Sequence, residues 1–508
     1  MEAYKQNNDY TYVRNKYAEK NTFIGSDEKP VTPPEYDVIR TSLPRPVFDG
    51  HPDYLKCYDY AWRKAFSNLH KPKEGTGFVS SYIDAAFNGC LFMWDSIFMM
   101  MFGKYGDRVF PFQRTLDNMY ALQHRDGFIS REIQEETGRE TFARHDPSST
   151  GPNLLAWCEL MYYENVNDYE RLKRVYNPLR AFHDWYRENR TWRDGTYFSS
   201  GWGCGMDNIP RFETDSSYDF DDRCQFSHNH MVWIDICLEA ILDCDCLIKM
   251  NEILGGEDDV SDLIEEKKHL TDIVNNTLWD DGEAFYFDQY RDGRLNHVKH
   301  IGAYWALTAD VVPEDRLERF IAHLKNEKEF RRPTPVPTLS ADHPLYQKTG
   351  AYWRGSSWAP TTYMVLKGLE RKGEIGLAYE IAERFLSQVV ETFDKTGTLW
   401  ENYMPEEAKP GIPAMPKFVG WTGLAPISVF FEFVLGIKAN VPENVIIWDV
   451  NRTERHGIEK YPFGKDNTVD LICAERKSAD EEPEVTVKSE KPVTVIVRWN
   501  GKEKTIGA

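Results

Sequence analysis

Asp207 lies in a loop reading Ser-Ser-Gly-Trp-Gly-Cys-Gly-Met-Asp-Asn-Ile-Pro-Arg-Phe over 199–212. Glu401 lies between Trp400 and Tyr403 in Thr-Leu-Trp-Glu-Asn-Tyr-Met-Pro over 398–405. Partial burial among rings disfavours the charged form of a carboxyl and moves its pKa toward neutrality. Two such carboxyls, distant in sequence, suit cleavage of a sugar acetal. One protonates the departing oxygen; the other activates water or attacks the carbon. The rings then offer faces on which a sugar stacks. Each residue also has a plainer reading. Asp followed by Asn-Ile-Pro can cap a helix, and Glu401 can sit in a surface turn near Glu406 and Glu407. The glycines before Asp207 favour the chemical reading, since they let backbone and ligand approach closely. The flanking rings favour it for Glu401.

Other residues extend the pattern. Arg354, between Trp353 and Gly355, can bind sugar hydroxyls or orient a carboxylate. It can equally form a structural ion pair or lie over a ring. Trp353 and Trp358 are expected on a pocket floor, with Trp202 and Gly205 beside Asp207 and Trp400 and Tyr403 beside Glu401. Asp95, next to Trp94, interrupts an apolar helical run, an unusual place for a charge. It reads as a ligand for sugar hydroxyls. Gln123 and Asp126 can bind hydroxyls too, although Asp-Gly also makes a turn. His228 and His230 alternate in a way that suits a metal pair poorly, and no third ligand type completes the set. The run Asp215, Asp219, Asp221 and Asp222 lacks the glycine and terminal glutamate of a calcium loop. It reads as a solvated or substrate-rim loop. No metal and no cofactor are expected.

Several of these stretches resemble glycoside hydrolase family 63. The segment at 199–212 is similar to that family's Ser-Gly-X-Asp-Asn-Ser-Pro-Arg, with Ile209 where serine is common. Tyr-Trp-Arg-Gly-Ser-Ser-Trp at 352–358, Glu-Asn-Tyr-Met-Pro-Glu at 401–406, Leu-Gln-His-Arg-Asp-Gly-Phe-Ile at 122–129 and Phe-Met-Trp-Asp-Ser-Ile-Phe at 92–98 resemble further family segments. They occur in family order and span about residues 85–435. The resemblance implies an (α/α)6 barrel and an inverting mechanism. In that mechanism Asp207 is the general acid and Glu401 the water-activating base. It also implies a place near the pocket for Trp421.

Composition sets bounds. The 508-residue chain has room for one large domain plus an appendage, and its 14% aromatic residues suit either a large core or a sugar site. A formal charge of −20 argues against nucleic acid or an anionic membrane as partner and suits a small carbohydrate. Nine scattered cysteines read as buried apolar groups in a reducing compartment. The N-terminal residues show neither a basic region nor an apolar run, so a cytoplasmic location is expected. The most apolar stretch, Cys90 to Phe102, is shorter than the ~20 residues that span a bilayer.

Residues 1–50 are polar and proline-dotted and predict an extended arm. From 51 to 437 apolar residues recur at i, i+3 and i+4, predicting a mainly α domain of successive helices with the motifs in the loops. Helices are expected near 53–70, 91–103, 112–122, 151–164, 172–189, 231–250, 260–277, 299–309, 315–325 and 424–435, with a pair broken at Gly373. The stretch 279–295 predicts a β-hairpin. Residues 438–508 alternate in short runs and predict a small β-sandwich-like tail. The residues point to a glycoside hydrolase, and the resemblance implies that it acts on a small α-linked glucoside or related α-glycoside. A glycoside phosphorylase, a non-catalytic carbohydrate-binding protein and a helical scaffold remain open at this level.

Overall fold

The computed structural model describes residues 14–86, 88–211 and 227–508. Its helices come in two kinds, which alternate strictly from residue 155 onward. One kind is buried on nearly every side: Met93–Gly103, Leu155–Val166, Ile234–Ile253, the pair Ile301–Tyr304 and Trp305–Thr308, Ala359–Arg371, and Trp421–Leu424 running into the π-wound Ala425–Val434. The other kind buries one stripe: Pro52–Ser67, Tyr169–Asn189, Ser261–Thr277, Glu314–Lys325 and Ile375–Thr396. Glu314–Lys325, for example, buries Leu317, Phe320, Ile321 and Leu324 and leaves its charged face to water. A helix apolar all round must be an inner element, and a striped one must cover it.

The contacts follow that division. The 93–103 helix packs on 155–166, which packs on 234–253. That helix meets 301–308, and 301–308 meets 359–371. Both 359–371 and 93–103 meet 421–424, so the last buried element returns to the first. The striped 261–277 helix covers 234–253, and 375–396 covers 425–434. Helix ends carry ordinary signals. The Asp168 carboxylate accepts the Arg171 N–H at 3.1 Å and caps 169–189. Gly397, at φ +71°, ends 375–396 in the left-handed conformation that glycine adopts freely.

After residue 434 the chain forms strands, as its alternating pattern predicts. One sheet joins Ile437–Asn440, Val445–Asp449, Thr494–Trp499 and Lys502–Gly507. The other joins His456–Pro462, Thr468–Cys473 and Val485–Ser489 to Arg45–Val47 from the arm. The arm strand is invisible in sequence because three residues with a central proline carry no period. Proline is tolerated there because Arg45–Val47 is an edge strand. The arm also contacts the helices at its described start: Asn15 donates to Asp184 at 2.8 Å, and Asn21 to Gln123 at 2.9 Å. The stretch expected as one hairpin forms two. Trp279–Asp280 pairs with Phe285–Tyr286, and Asp288–Tyr290 pairs with Leu295–Asn296 and with Met231–Val232.

One buried ionic cluster ties the inner elements together. Lys104 lies 3.0 Å from Glu432, and both side chains are under 5% exposed. Tyr105 and Tyr363 donate hydroxyl hydrogens to the same carboxylate at 2.8 and 2.9 Å. Removing one partner of a buried ion pair typically costs about 3–5 kcal/mol, because the other charge stays buried without compensation. Glu432→Ala is therefore expected to lower Tm sharply. Glu432→Gln, which keeps an acceptor for the tyrosines, is expected to lower it less. Equal, small shifts in a thermal melt would contradict this role.

Candidate active site

The 93–103 helix starts at a cavity of about 290 Å³, lined by residues from five separate segments. Trp94 and Asp95 come from its first turn, Arg131 and Glu132 from an adjoining segment, Trp202, Gly205 and Asp207 from the glycine-rich loop, Tyr352 and Trp353 from another loop, and Trp421 from the last buried element. Gly205 adopts φ +76°, and a Cβ there would sit 2.9 Å from the Trp94 ring. Glycine is thus required for the loop that carries Asp207 to pack against the indole. The Trp94 indole N–H and Asp95 Oδ1 are buried and make no hydrogen bond within the described protein. A buried polar atom without a partner is costly, so both are suited to a ligand hydroxyl.

Electrostatics divides the carboxyls. Burial pushes Asp207 up to about 7; the Arg131 guanidinium opposes this and Glu401 adds to it. Burial also raises Glu401, against the Tyr352 hydroxyl and the Met415 N–H that bind its charged form. Those bonds measure 2.9 Å to Oε1 and 3.1 Å to Oε2. Burial holds Asp95 well above the usual carboxylate range. Burial lowers Arg131, while Glu132, Asp207 and Asp95 support its charge. Arg131 is fixed by Glu132 at 3.0 Å and by the Trp202 carbonyl at 3.2 Å, and lies over the Phe142 and Trp202 rings. Asp207, pushed up to about 7, lines the cavity, while Glu401 lies outside the lining and is joined to it through the Tyr352 hydroxyl.

The other expected site residues fall at varying distances from this cavity. Trp358 stacks under Trp353 with ring centroids 3.9 Å apart and planes 4° from parallel, so it supports the floor from below. Arg354 is buried behind the floor, its Nε donating to the Asn208 carbonyl at 3.4 Å. Trp400 and Tyr403 turn away from the lining: the Trp400 indole donates to Thr396 at 3.0 Å, and the Tyr403 hydroxyl accepts the Trp400 N–H at 3.3 Å. Gln123 binds the Gly127 and Pro178 carbonyls at 3.0 and 2.8 Å, and Asp126 pairs with Arg144. Both fix loops and lie outside the lining. Ile209 is buried and also outside it. The acidic run from Asp215 to Asp222 lies outside the described residues.

Sequence reasoning misses Arg131, Glu132 and Tyr352. The adjacent charges Arg131 and Glu132, directly after an apolar stretch, are the available signal. Tyr352 has one too, as the first ring of a motif whose other members stand out.

His228 and His230 pack against Trp192 and each other. Among the described residues one set has metal-compatible spacing: His183, Cys244 and Glu266. His183 there bridges Asp243 at 2.7 Å and Glu266 at 3.2 Å, and Arg187 reaches Glu266 at 3.3 Å. These charges balance as a buried ion network joining three helices. A larger cleft of about 450 Å³ lies near Lys104 and Lys465; there Arg114, Arg171, Arg174 and Lys465 pair with Glu28, Asp117 and Asp168, and Lys104 pairs with Glu432. Among the described residues no helix is long and apolar enough to cross a membrane.

Residues 91–420 match the mannosylglycerate hydrolase MGH1-like glycoside hydrolase domain. An uncharacterized protein of Borreliella burgdorferi is 25% identical over 417 residues, covering 79% of this chain and 83% of its own length. Alpha-glucosidase 2 of Arabidopsis thaliana is 23% identical over 68% of this chain, which spans about half of that protein (52%). The fold is shared with a family 63 mannosylglycerate hydrolase of Thermus thermophilus solved in complex with glucose. That structure gives a TM-score of 0.58 at 21% identity, covering 73% of this chain and 99% of its own.

Two outcomes follow from the charges. Arg131 is the cation that pulls Asp207 downward, so Arg131→Gln is expected to move the Asp207 midpoint above about 7 in a carboxyl carbon NMR titration. An unchanged midpoint would contradict the pairing. Because Asp207 is raised in the folded state, ionising it opposes folding. The penalty is absent below the ordinary carboxylate range and complete above about 7. Asp207→Asn should therefore raise Tm at pH 8 and leave it little changed at pH 4.

Proposed function

This chain belongs to the mannosylglycerate hydrolase MGH1-like glycoside hydrolases of family 63, and from that footing we propose that it hydrolyses a small α-linked glucoside or related α-glycoside with inversion. The observation that carries the proposal is the unequal pair, Asp207 raised to about 7 in the cavity and Glu401 hydrogen-bonded as a carboxylate by Tyr352 and Met415. Asp207, raised to about 7, stays protonated in a substantial fraction of molecules at neutral pH and gives that proton to the glycosidic oxygen. Glu401 takes a proton from water attacking the opposite face of the sugar. Trp94, Trp353 and Trp421 supply ring faces, and Asp95 and the Trp94 N–H take sugar hydroxyls. Trp358 and Arg354 hold the floor.

A cavity of about 290 Å³ suits a small glycoside better than a polymer. The curated relatives add weight to a glucosidic bond: one is named as an alpha-glucosidase and another as a mannosyl-oligosaccharide glucosidase. The returning order of buried helices supports an (α/α)6 barrel over 51–437, with the described part of the arm, from residue 14, laid across it and the 438–508 strands appended. The active cavity then lies at one end of the barrel, where loops from several helical hairpins converge.

Purified protein assayed against α-disaccharides, glycosyl-glycerol and glycosyl-glycerate, with and without phosphate, tests the substrate class. Phosphate-independent release of free sugar is expected. Loss of a positioned acid or base costs about 10²–10⁴-fold in rate, so Asp207→Asn and Glu401→Gln should each fall by that much while still binding the product sugar. Full activity in either variant would remove that residue from the mechanism.

A further inference from the structure

Asn208 directly follows the proposed acid, and its side chain does not face the cavity. It is 1% exposed and reaches across to residues some 145 positions away. Its Nδ2 donates to the Ala351 carbonyl at 3.1 Å, and its Oδ1 accepts the Trp353 N–H at 2.8 Å. Asn208 therefore grips the chain on both sides of Tyr352. That stretch needs gripping. Ala351 at φ +39° and Tyr352 at φ +66° both adopt left-handed backbone without being glycine. Such residues are strained and persist only where surroundings over-determine them. The strained turn delivers two groups to the site. The Tyr352 hydroxyl donates to Glu401 Oε1 at 2.9 Å, and Trp353 stacks on Trp358 to form the floor.

We propose that Asn208 is a positioning residue that locks the loop carrying Asp207 to the turn carrying Tyr352, so that the acid and the hydroxyl orienting the base move as one body. The proposal rests on the acid and base reading of Asp207 and Glu401. A primary amide supplies the donor for the 351 carbonyl and the acceptor for the 353 N–H on two separate atoms of one short side chain. The peptide unit gripped on each side of Tyr352 fixes its ring without touching it. The chain of contacts runs from Asp207 through the adjacent backbone to Asn208, through the turn to Tyr352, and through its hydroxyl to Glu401.

The consequence has a definite sign. The Tyr352 hydroxyl favours the charged form of Glu401. If Asn208 is removed and Tyr352 drifts, Glu401 loses that bond and its pKa rises. The acid limb of the kcat/KM profile then moves to higher pH.

The test is a set of full pH profiles for wild type, Asn208→Ala, Tyr352→Phe and the double variant, each compared with its thermal melt. Asn208→Ala and Tyr352→Phe should shift the acid limb upward alike, and Asn208→Ala should lower kcat more than tenfold with KM changed less than threefold. The double variant should be no slower than the slower single, because both changes break one chain. Should the alanine variant not fold, Asn208→Asp replaces it. That variant keeps the acceptor for Trp353 and loses the donor to Ala351. Its acid limb should also rise, and its basic limb should rise because a new carboxyl adjoins Asp207.

A lowered Tm with an unmoved acid limb for the Asn208 variants, while Tyr352→Phe does move it, would make Asn208 a structural residue only. Additive losses in the double variant would overturn the proposal in the same way. An acid limb unmoved in Tyr352→Phe as well would mean that Glu401 is not the titrating base, and the acid and base reading would fail with it.

Discussion

Three buried carboxyls, two of them facing one guanidinium, set the terms for this protein. Asp95, Asp207 and Glu401 are all raised by burial, and Arg131 is the cation that faces Asp95 and Asp207. Ionising such a group away from water is costly unless a partner is fixed beside it. The scaffold supplies the fixation. Asp95 is held by the first turn of an inner helix, Asp207 by a loop that needs Gly205, and Glu401 by a hydroxyl and a backbone N–H. The inner helices hold these pieces in register from behind, through close apolar packing and the Glu432 cluster. A looser frame would admit water and let all three carboxyls return to ordinary acidity.

That division of labour explains the strain at residues 351 and 352. Left-handed backbone at a non-glycine residue opposes folding, yet here it aims the Tyr352 hydroxyl at Glu401. Stability is given up where orientation matters. The striped outer helices, by contrast, obey simple apolar spacing.

Much of the helical order is legible in sequence because buried and striped helices differ in apolar pattern, and Gly373 and Gly397 mark ends through their left-handed backbone. The Arg45–Val47 strand is not, since an edge strand of three residues borrows its order from a partner some 410 positions away. The site divides similarly. Trp94, Asp95, Trp202, Gly205, Asp207 and Trp353 can be named because each sits in a local cluster of rings, glycine and acid; Trp421 is named only through the family resemblance. Arg131 and Tyr352 leave a fainter local trace and Asn208 none, since their importance lies in contacts that only folding creates. Gln123 and Asp126 show the reverse case. Their polar types suit a sugar, but the fold turns them onto backbone and Arg144.

The central claim is that Asp207 gives a proton while Glu401 directs water, so that no covalent bond to the enzyme forms. That geometry demands carboxyls about 6.5–9.5 Å apart, against about 5–5.5 Å for a retaining pair. Proton NMR during the first minutes of turnover on an α-glycoside, before the product mutarotates, reads the outcome directly. The β-anomer should appear first. First appearance of the α-anomer would contradict it, and Glu401 would then be a nucleophile or a bystander.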